Sequence, residues 1–145
     1  MGVRRDAREA AVQYLYQREM QSDESDTALQ EFYDMRGLSP SGRKFCDALL
    51  QGWMSHREEV DETIRKNSRN FEFNRLSAVD RNVLRIACHE ILHCPEIPPA
   101  VAINEAIEIA KKYSSQDSGK FVNGVLDNIR KLHQRTPQPS RQPAQ

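Results

Sequence analysis

Two histidines and a glutamate stand at the spacing of a zinc-hydrolase motif, in the segment His89-Glu90-Ile91-Leu92-His93. Residues four apart lie on one face of a helix, so both imidazoles could bind one zinc ion while the glutamate acts as general base. A second possible chemistry is a structural metal site formed by Cys88, His89, His93 and Cys94. Consecutive residues point to different sides of a helix, which disfavours that second set.

The position of Glu90 on its predicted helix disfavours the hydrolase. In helical projection Glu90 falls in the middle of an apolar arc, together with Val83, Ile86 and Ala87. A general base has to face water and substrate, whereas this carboxylate is directed at the core. We therefore expect no metal, with His89 and His93 flanking the core. We expect the buried Glu90 to accept N–H bonds from the start of the next helix, near residues 99–103.

The composition excludes several classes of protein. The chain has 145 residues, with 21 Lys and Arg against 21 Asp and Glu, and its formal net charge is zero. Neutrality excludes a strongly basic coat for nucleic acid as a property of the whole molecule. There is no apolar run of membrane-spanning length and no apolar segment typical of a signal peptide. Three cysteines without paired spacing indicate reduced thiols, so we expect a cytoplasmic protein.

Charge is nevertheless segregated along the chain. Residues 1–18 and 111–135 carry an excess of bases, whereas residues 19–34 and 86–110 contain acids and no base. If the two basic segments meet in space, they form a local cationic patch; the alternative is that each segment is a solvated helix face. Three arginines also open the first predicted helix, where the dipole disfavours cations. This position suggests a polyanionic partner.

Apolar residues recur with helical period, and we find no alternating strand pattern. The pattern predicts an all-α domain of about seven helices. The expected helices begin near Arg5, Ala28, Ser41, Ser77, Pro99 and Ser115, and the third continues, whole or broken, through Ile64. Residues 67–74 are expected to form a hinge between two halves, and residues 136–145 a disordered tail.

Three stretches together carry a family signature: AREAAVQYLYQ at residues 7–17, VDRNVLRIA at 79–87, and IPPAVAINEAIEIAKKY at 97–113, continued by DSGKFVNGVLD at 117–127. In order and spacing, over residues 4 to about 130, they resemble the NusB family of bacterial transcription antitermination factors. The same domain also occurs fused ahead of an RNA cytosine methyltransferase. Since this chain shows no cofactor-binding region, the resemblance favours the standalone factor.

The resemblance implies an all-helical fold of two small packed bundles, about residues 4–70 and 75–135, within one RNA-binding domain over residues 1–135. It implies a complex with the ribosomal protein NusE that recognises the boxA element of nascent ribosomal RNA. This complex joins the RNA polymerase antitermination complex and keeps transcription from stopping early. The resemblance implies neither catalysis nor a cofactor.

The expected site residues form two sets. The resemblance and the basic segments together predict the RNA-binding set: Arg4, Arg5, Arg8, Lys111, Lys112, Asp117, Lys120 and Phe121. The resemblance places a partner-binding set at the start of the helix capped by Ser77: Asp80, Arg81 and Leu84. Phe121 could stack on a base or belong to the core. Asp117 could accept from a base edge or cap its helix.

Two departures from the family pattern bear on function. The N-terminus holds only three arginines, with Asp6 among them, which predicts weaker RNA binding without NusE. His89 stands where the family usually has an aromatic residue, which supports a chance origin of the HExxH match. The competing interpretations are a helical protein–protein module without direct RNA contact, and the zinc hydrolase. A homodimer is also compatible with the sequence.

Overall fold

The computed structural model describes residues 2–22, 25–68 and 73–135, apart from the side chains of residues 74 and 135. These residues contain no strand and form seven α-helices and one short 3-10 helix, Phe73–Arg75. The α-helices are α1 (Val3–Gln21), α2 (Asp26–Arg36), α3 (Pro40–Ser55), α4 (Arg57–Asn67), α5 (Ala78–His93), α6 (Pro99–Tyr113) and α7 (Gln116–Arg135). The all-α prediction is thereby confirmed for the described part of the chain. The predicted tail at 136–145 and hinge residues 69–72 lie outside it.

Serine side chains begin several helices, as short polar residues at an N-cap usually do. Ser77 Oγ accepts the N–H of Asp80 at 3.1 Å, which confirms the predicted start of α5. The start of α3 differs by two residues from the prediction. Its cap is Ser39, whose hydroxyl accepts from Gly42, because Pro40 fits the first helical turn.

The predicted third helix is broken in two. His56 ends α3 and begins α4, with φ −120° and ψ 18°. Its N–H reaches the carbonyls of Gly52 and Trp53 at 3.2 and 3.0 Å, and its own carbonyl accepts from Val60 at 2.9 Å. The N–H and carbonyl groups of the residue at the break are therefore satisfied although the helix is interrupted.

Helices α1, α2 and α3 form one group and helices α4, α5, α6 and α7 form a second, and both groups share one continuous hydrophobic core. Helix α5 packs on α6 and α7 and also contacts α1, α3 and α4, so it lies in the seam between the groups. The boundaries of the two bundles at 4–70 and 75–135 stay a prediction. Among the described helices, none is long and apolar enough to cross a membrane.

Ion pairs hold this seam together. Glu19 on α1 accepts from Arg81 at 2.5 Å, from Asn82 at 2.8 Å and from Arg85 at 3.0 Å. Arg85 also bonds both carboxylate oxygens of Asp61 on α4. Burial raises the pKa of Glu19, but the hydrogen bonds from Arg81 and Asn82 lower it by more. The pKa of this carboxyl is therefore below its usual value. Glu19, one acid of the segment 19–34, thus pairs with bases of this protein.

Candidate nucleic-acid interface

Glu90, the central residue of the HExxH match, is buried in the core as predicted. Its side chain is 1% exposed. It accepts three hydrogen bonds from Arg8 on α1: Nε reaches the two oxygens at 3.0 and 3.1 Å, and Nη2 reaches Oε2 at 2.8 Å. Burial raises the pKa of Glu90, and the guanidinium opposes that rise. The partner therefore differs from the expected amides of α6, because a full positive charge compensates a buried carboxylate better than amide dipoles do.

The two histidines of the motif lie in a stack of imidazole rings that also includes His56. The ring centroids of His56 and His93 are 3.6 Å apart, and that of His89 lies 5.7 Å from each. His93 Nε2 is 2.6 Å from Glu59 Oε1, and His89 Nε2 is 3.7 Å from Cys94 Sγ. Burial, with the two neighbouring imidazoles, lowers the pKa of His89 to about 4.

The stack does not have the geometry of a metal centre. His56 and His93 are stacked face to face, and rings in that arrangement cannot direct their nitrogen lone pairs at one point, as a tetrahedral site requires. In the part of the chain that the structure describes, there is no group of three His, Cys, Asp or Glu side chains arranged to hold a metal ion. The zinc and Cys/His sites considered from the sequence therefore have no ligand cluster there.

The three N-terminal arginines have different environments. Arg4 is exposed, with its guanidinium carbon 4.8 Å from the ring centre of Phe45. Arg5 is partly exposed and bonds both carboxylate oxygens of Glu105 on α6 at 2.7 and 2.6 Å. Arg8, in contrast, is 4% exposed and is held by Glu90. A direct phosphate contact by Arg8 would have to break that buried pair, so Arg4 and Arg5 are the accessible ones among these three arginines.

At the end of α6, Lys112 and Tyr113 both bind Glu9 of α1. Lys112 Nζ lies 2.9 Å from Glu9 Oε1, and the Tyr113 hydroxyl donates to the same oxygen at 2.8 Å. Gln13 Nε2 donates to the Tyr113 hydroxyl at 3.2 Å. The Lys112 side chain remains 59% exposed. Lys111 makes a longer pair with Glu108, at 3.4 Å.

The predicted RNA-binding residues of α7 lie at its first turn. Ser115 Oγ accepts the N–H of Ser118 at 3.1 Å, so Ser115 rather than Asp117 provides the side-chain cap. Asp117 and Lys120 are exposed, while Phe121 is half-buried and packs against the core. Phe121 therefore contributes to the core and still presents part of its ring to the surface.

A surface cleft brings the start of α7 next to the start of α5. Asp117 and Phe121 line it together with Asp80, and the remaining lining residues are Arg75, Leu76, Ser77, Ser115 and Ser118. One member of the predicted partner set thus lies beside two members of the RNA set. The other two partner residues are less accessible: Leu84 is fully buried, and Arg81, with 13% of its side chain exposed, bonds Glu19.

A second groove was not predicted. Tyr16 and Met20 of α1 and Tyr113 of α6 line it with 42%, 59% and 39% of their surface exposed, over Val12, Gln13, Gln17, Gln21 and Val79. The sequence feature that could have indicated this groove is the spacing of Tyr16 and Met20. They are four residues apart and lie outside the apolar stripe of Ala7, Ala11, Tyr14 and Leu15. Large apolar side chains clustered on a surface commonly mark a binding site.

A model of the NusB family matches residues 5–131 of the chain. The chain belongs to the NusB family. It is 40% identical over 141 residues to the transcription antitermination protein NusB of Desulfotalea psychrophila, covering 93% of this chain and 100% of that relative. It is 41% identical to the protein of the same name from Myxococcus xanthus, covering 89% of this chain and 95% of the relative.

Solved structures of NusB share the fold. The T. maritima NusB crystal structure is 38% identical with a TM-score of 0.80, covering 90% of this chain and 92% of that one. A chain in the crystal structure of the antitermination factors NusB and NusE in complex with dsRNA is 28% identical, with a TM-score of 0.83. That match covers 91% of this chain and 98% of the other. The similarity therefore extends over nearly the whole described part.

In this member of the NusB family the charged segments pair with one another. Arg5 and Arg8 of the first basic segment bind Glu105 and Glu90 of the acidic segment 86–110. Lys112 of the last basic segment binds Glu9. The two basic segments do meet in space, as one alternative expected, but acids neutralise much of their charge. Arg5 and Lys112 thus combine partial exposure with a fixed carboxylate partner.

Proposed function

We propose that this protein is a transcription antitermination factor that binds boxA RNA of nascent ribosomal RNA together with NusE and joins the RNA polymerase elongation complex. Membership of the NusB family over residues 5–131 carries the proposal. The complex of NusB and NusE with dsRNA, which contains a chain 28% identical to this one, supports the choice of partners. The protein acts as an adaptor without catalysis, in the cytoplasm.

The cationic edge, which we define as Arg4, Arg5 and Lys112, would bind the RNA phosphates. These side chains lie at the start of α1 and the end of α6, and each is at least partly exposed. Phosphate contacts supply affinity and orientation but carry little sequence information. Arg8 serves as a positioning residue, because its pair with Glu90 fixes α1 against α5.

Base recognition would use the two surface depressions, the cleft and the groove. In the cleft, Phe121 offers a partly exposed ring for stacking and Asp117 offers acceptors for a base amino group. In the groove, Tyr16 and Tyr113 offer ring faces, and Gln17 can bond a base edge. Lys111 and Lys120 would add electrostatic attraction around these contacts.

NusE would bind next to Asp80, at the edge of the cleft. Arg81 and Leu84 support this surface from inside: Arg81 donates to the carbonyl oxygens of Phe73 and Leu76 at 3.3 and 2.7 Å, and Leu84 packs in the core. A cleft shared by both expected partners makes their binding mutually dependent, since RNA contacts Asp117 and Phe121 where NusE contacts Asp80.

An electrophoretic shift of boxA RNA, with and without NusE, tests the proposal. We expect a complex that is stronger with NusE. Replacing Arg4 and Arg5 by alanine should weaken it and reduce the salt dependence by roughly 0.7 to 1 unit of slope per lost phosphate contact. Arg65→Ala, on the exposed face of α4, is the matched control and should bind like the wild type.

Two results would redirect the proposal. If no RNA binds under either condition, the RNA-binding function is wrong. If RNA binds but the pair retains full affinity after loss of Arg4 and Arg5, the protein is a helical interaction module and NusE alone contacts RNA. Sedimentation of the free protein measures whether a homodimer competes with either complex.

A further inference from the structure

The Arg5 guanidinium is held along one edge. Its Nε and Nη2 atoms donate to Glu105 Oε1 and Oε2 at 2.7 and 2.6 Å. A guanidinium carries five N–H groups in a planar fork, so this side-on pair leaves both Nη1 N–H groups and one on Nη2 without an acceptor among the described residues. One Nη1 N–H and the remaining Nη2 N–H lie together along a second edge of the guanidinium, which can form a second bidentate contact with a phosphate.

In this pair the carboxylate of Glu105 lies deeper in the protein than the guanidinium of Arg5. The Glu105 side chain is 16% exposed and that of Arg5 is 35% exposed. The bond from Arg5 lowers the pKa of Glu105, so the carboxylate stays ionised at neutral pH. The pair joins α1 to α6, and one turn further along α1 Arg8 is fixed by Glu90. Arg5 therefore projects from a rigid part of the helix.

We propose that Glu105 is a positioning residue for RNA binding, which holds Arg5 by one edge and thereby presents its other edge to an RNA phosphate. The inference rests on the proposed function. An unrestrained arginine loses several freely rotating torsions when it binds a ligand, and Glu105 fixes these torsions before RNA arrives. The carboxylate acts through Arg5 and does not touch the RNA.

Electrostatics alone makes the opposite prediction. Removing the Glu105 charge makes the protein more positive next to a polyanion, which should tighten RNA binding. Loss of positioning should weaken it. The sign of the change in RNA affinity therefore distinguishes positioning from simple competition between Glu105 and the phosphate for Arg5.

The experiment measures the dissociation constant of boxA RNA for the complex with NusE, comparing Glu105→Gln with the wild type. We expect affinity to fall about fivefold, the effect of roughly 1 kcal/mol of lost pre-organisation. Glu62→Gln is the matched control, because it removes one charge from an exposed pair with Arg65 on α4. It should leave the affinity unchanged or slightly higher. Equal or tighter binding by Glu105→Gln overturns the inference.

A double-mutant cycle of Glu105 and Arg5 distinguishes a positioning role of Glu105 from a merely structural one. If Glu105 acts through Arg5, then Glu105→Gln has no further effect on RNA affinity in an Arg5→Ala background. An undiminished loss in that background overturns the inference. Glu105→Asp is a second variant, which replaces Glu105→Gln if that variant fails to fold. It keeps the negative charge but is one methylene too short for the side-on pair with Arg5. We therefore expect weaker RNA binding, and wild-type RNA affinity would contradict the inference.

Failure of the proposed function gives a different result. If the wild-type complex with NusE does not bind boxA RNA, the proposed function and the inference both fall. If the wild type binds RNA and Glu105→Gln binds equally well, only the positioning role falls.

Discussion

His89 and Glu90 are neighbours on α5, and both are buried, but their surroundings differ. Glu90 turns towards α1, where Arg8 gives it three hydrogen bonds. His89 turns towards the α3–α4 junction, where it stacks near His56 and His93. Within the described residues, His89 Nδ1 has no hydrogen-bond partner.

The difference shows two ways of burying an ionisable group. Glu90 keeps its charge because an opposite charge is buried with it, and removing either partner would leave an uncompensated ion. His89 gives up its charge instead, since burial lowers its pKa to about 4. One region therefore depends on a matched partner, and the other on staying neutral and closely packed.

The largest effect is expected from breaking the Glu90 pair. Glu90→Gln preserves size but leaves the Arg8 guanidinium buried without a counter-charge, so the free energy of unfolding should fall by about 3–5 kcal/mol. Replacing both partners together, Arg8→Met with Glu90→Leu, should recover most of this loss. Urea unfolding followed by circular dichroism measures both. A loss below about 1 kcal/mol for Glu90→Gln would show that the pair is not the main contact between α1 and α5.

The close packing of His89 is tested at Gly52 on α3. A Cβ atom at residue 52 would lie 2.3 Å from His89 Nε2, so Gly52→Ala forces the ring to move. We expect a loss of about 1–3 kcal/mol, although alanine normally favours a helix over glycine. Gly124→Ala on α7 is the control, because nothing lies within 4 Å of its added Cβ. The control should be stabilised by up to about 1 kcal/mol; stabilisation by both variants would mean that the space around His89 is loose.

The neutrality of His89 predicts how stability depends on pH. An unfolded histidine has its usual pKa near 6.5, while that of His89 is about 4, so the unfolded chain binds more protons between these values. Stability from this group is complete above pH 6.5 and is lost as the pH falls towards 4, on the order of 2 kcal/mol between pH 7 and 5.

His89→Gln should flatten this dependence, and the comparison with the wild type isolates His89 from its neighbours His56, His93 and Glu59. The measurement is the free energy of unfolding at several pH values. An identical slope for both proteins would show that other groups cause the acid sensitivity.

The smallest effect is expected outside both regions. Glu62 pairs with Arg65 at the surface of α4, where water screens the charges. Glu62→Gln should change the free energy of unfolding by less than about 0.5 kcal/mol. A loss comparable to that of Glu90→Gln would remove the distinction between buried and exposed pairs.

The sequence predicted the helices well because each is encoded locally. Apolar period and serine caps placed α5 correctly, and the start of α3 was displaced by only two residues. The break at His56 is accompanied by a local contact, since the ring Nδ1 of His56 lies 2.9 Å from the carbonyl oxygen of Gly52. The same ring also stacks on His93 of α5, a contact that the sequence of α3 and α4 alone does not predict.

The candidate site was predicted less completely, because charge in a sequence does not reveal its partner. Arg4, Arg5 and Arg8 look alike along the chain, yet their accessibility ranges from exposed to 4%. Likewise Arg81, which is expected at a partner surface, also bonds Glu19 within the molecule, and its sequence position does not reveal this contact. The groove at Tyr16 and Tyr113 joins residues almost a hundred positions apart, so no local pattern contains it.

The sequence by itself determined the helical class, the NusB family and the burial of Glu90, since amphipathic period and local motifs depend on neighbouring residues. Only the tertiary structure decided which cation meets which acid. Contacts such as Arg5 with Glu105, and Arg8 with Glu90, join positions 100 and 82 residues apart. Such pairs form when packing brings two helices together and removes the water between them, and the same packing leaves Arg5 partly exposed while it buries Arg8.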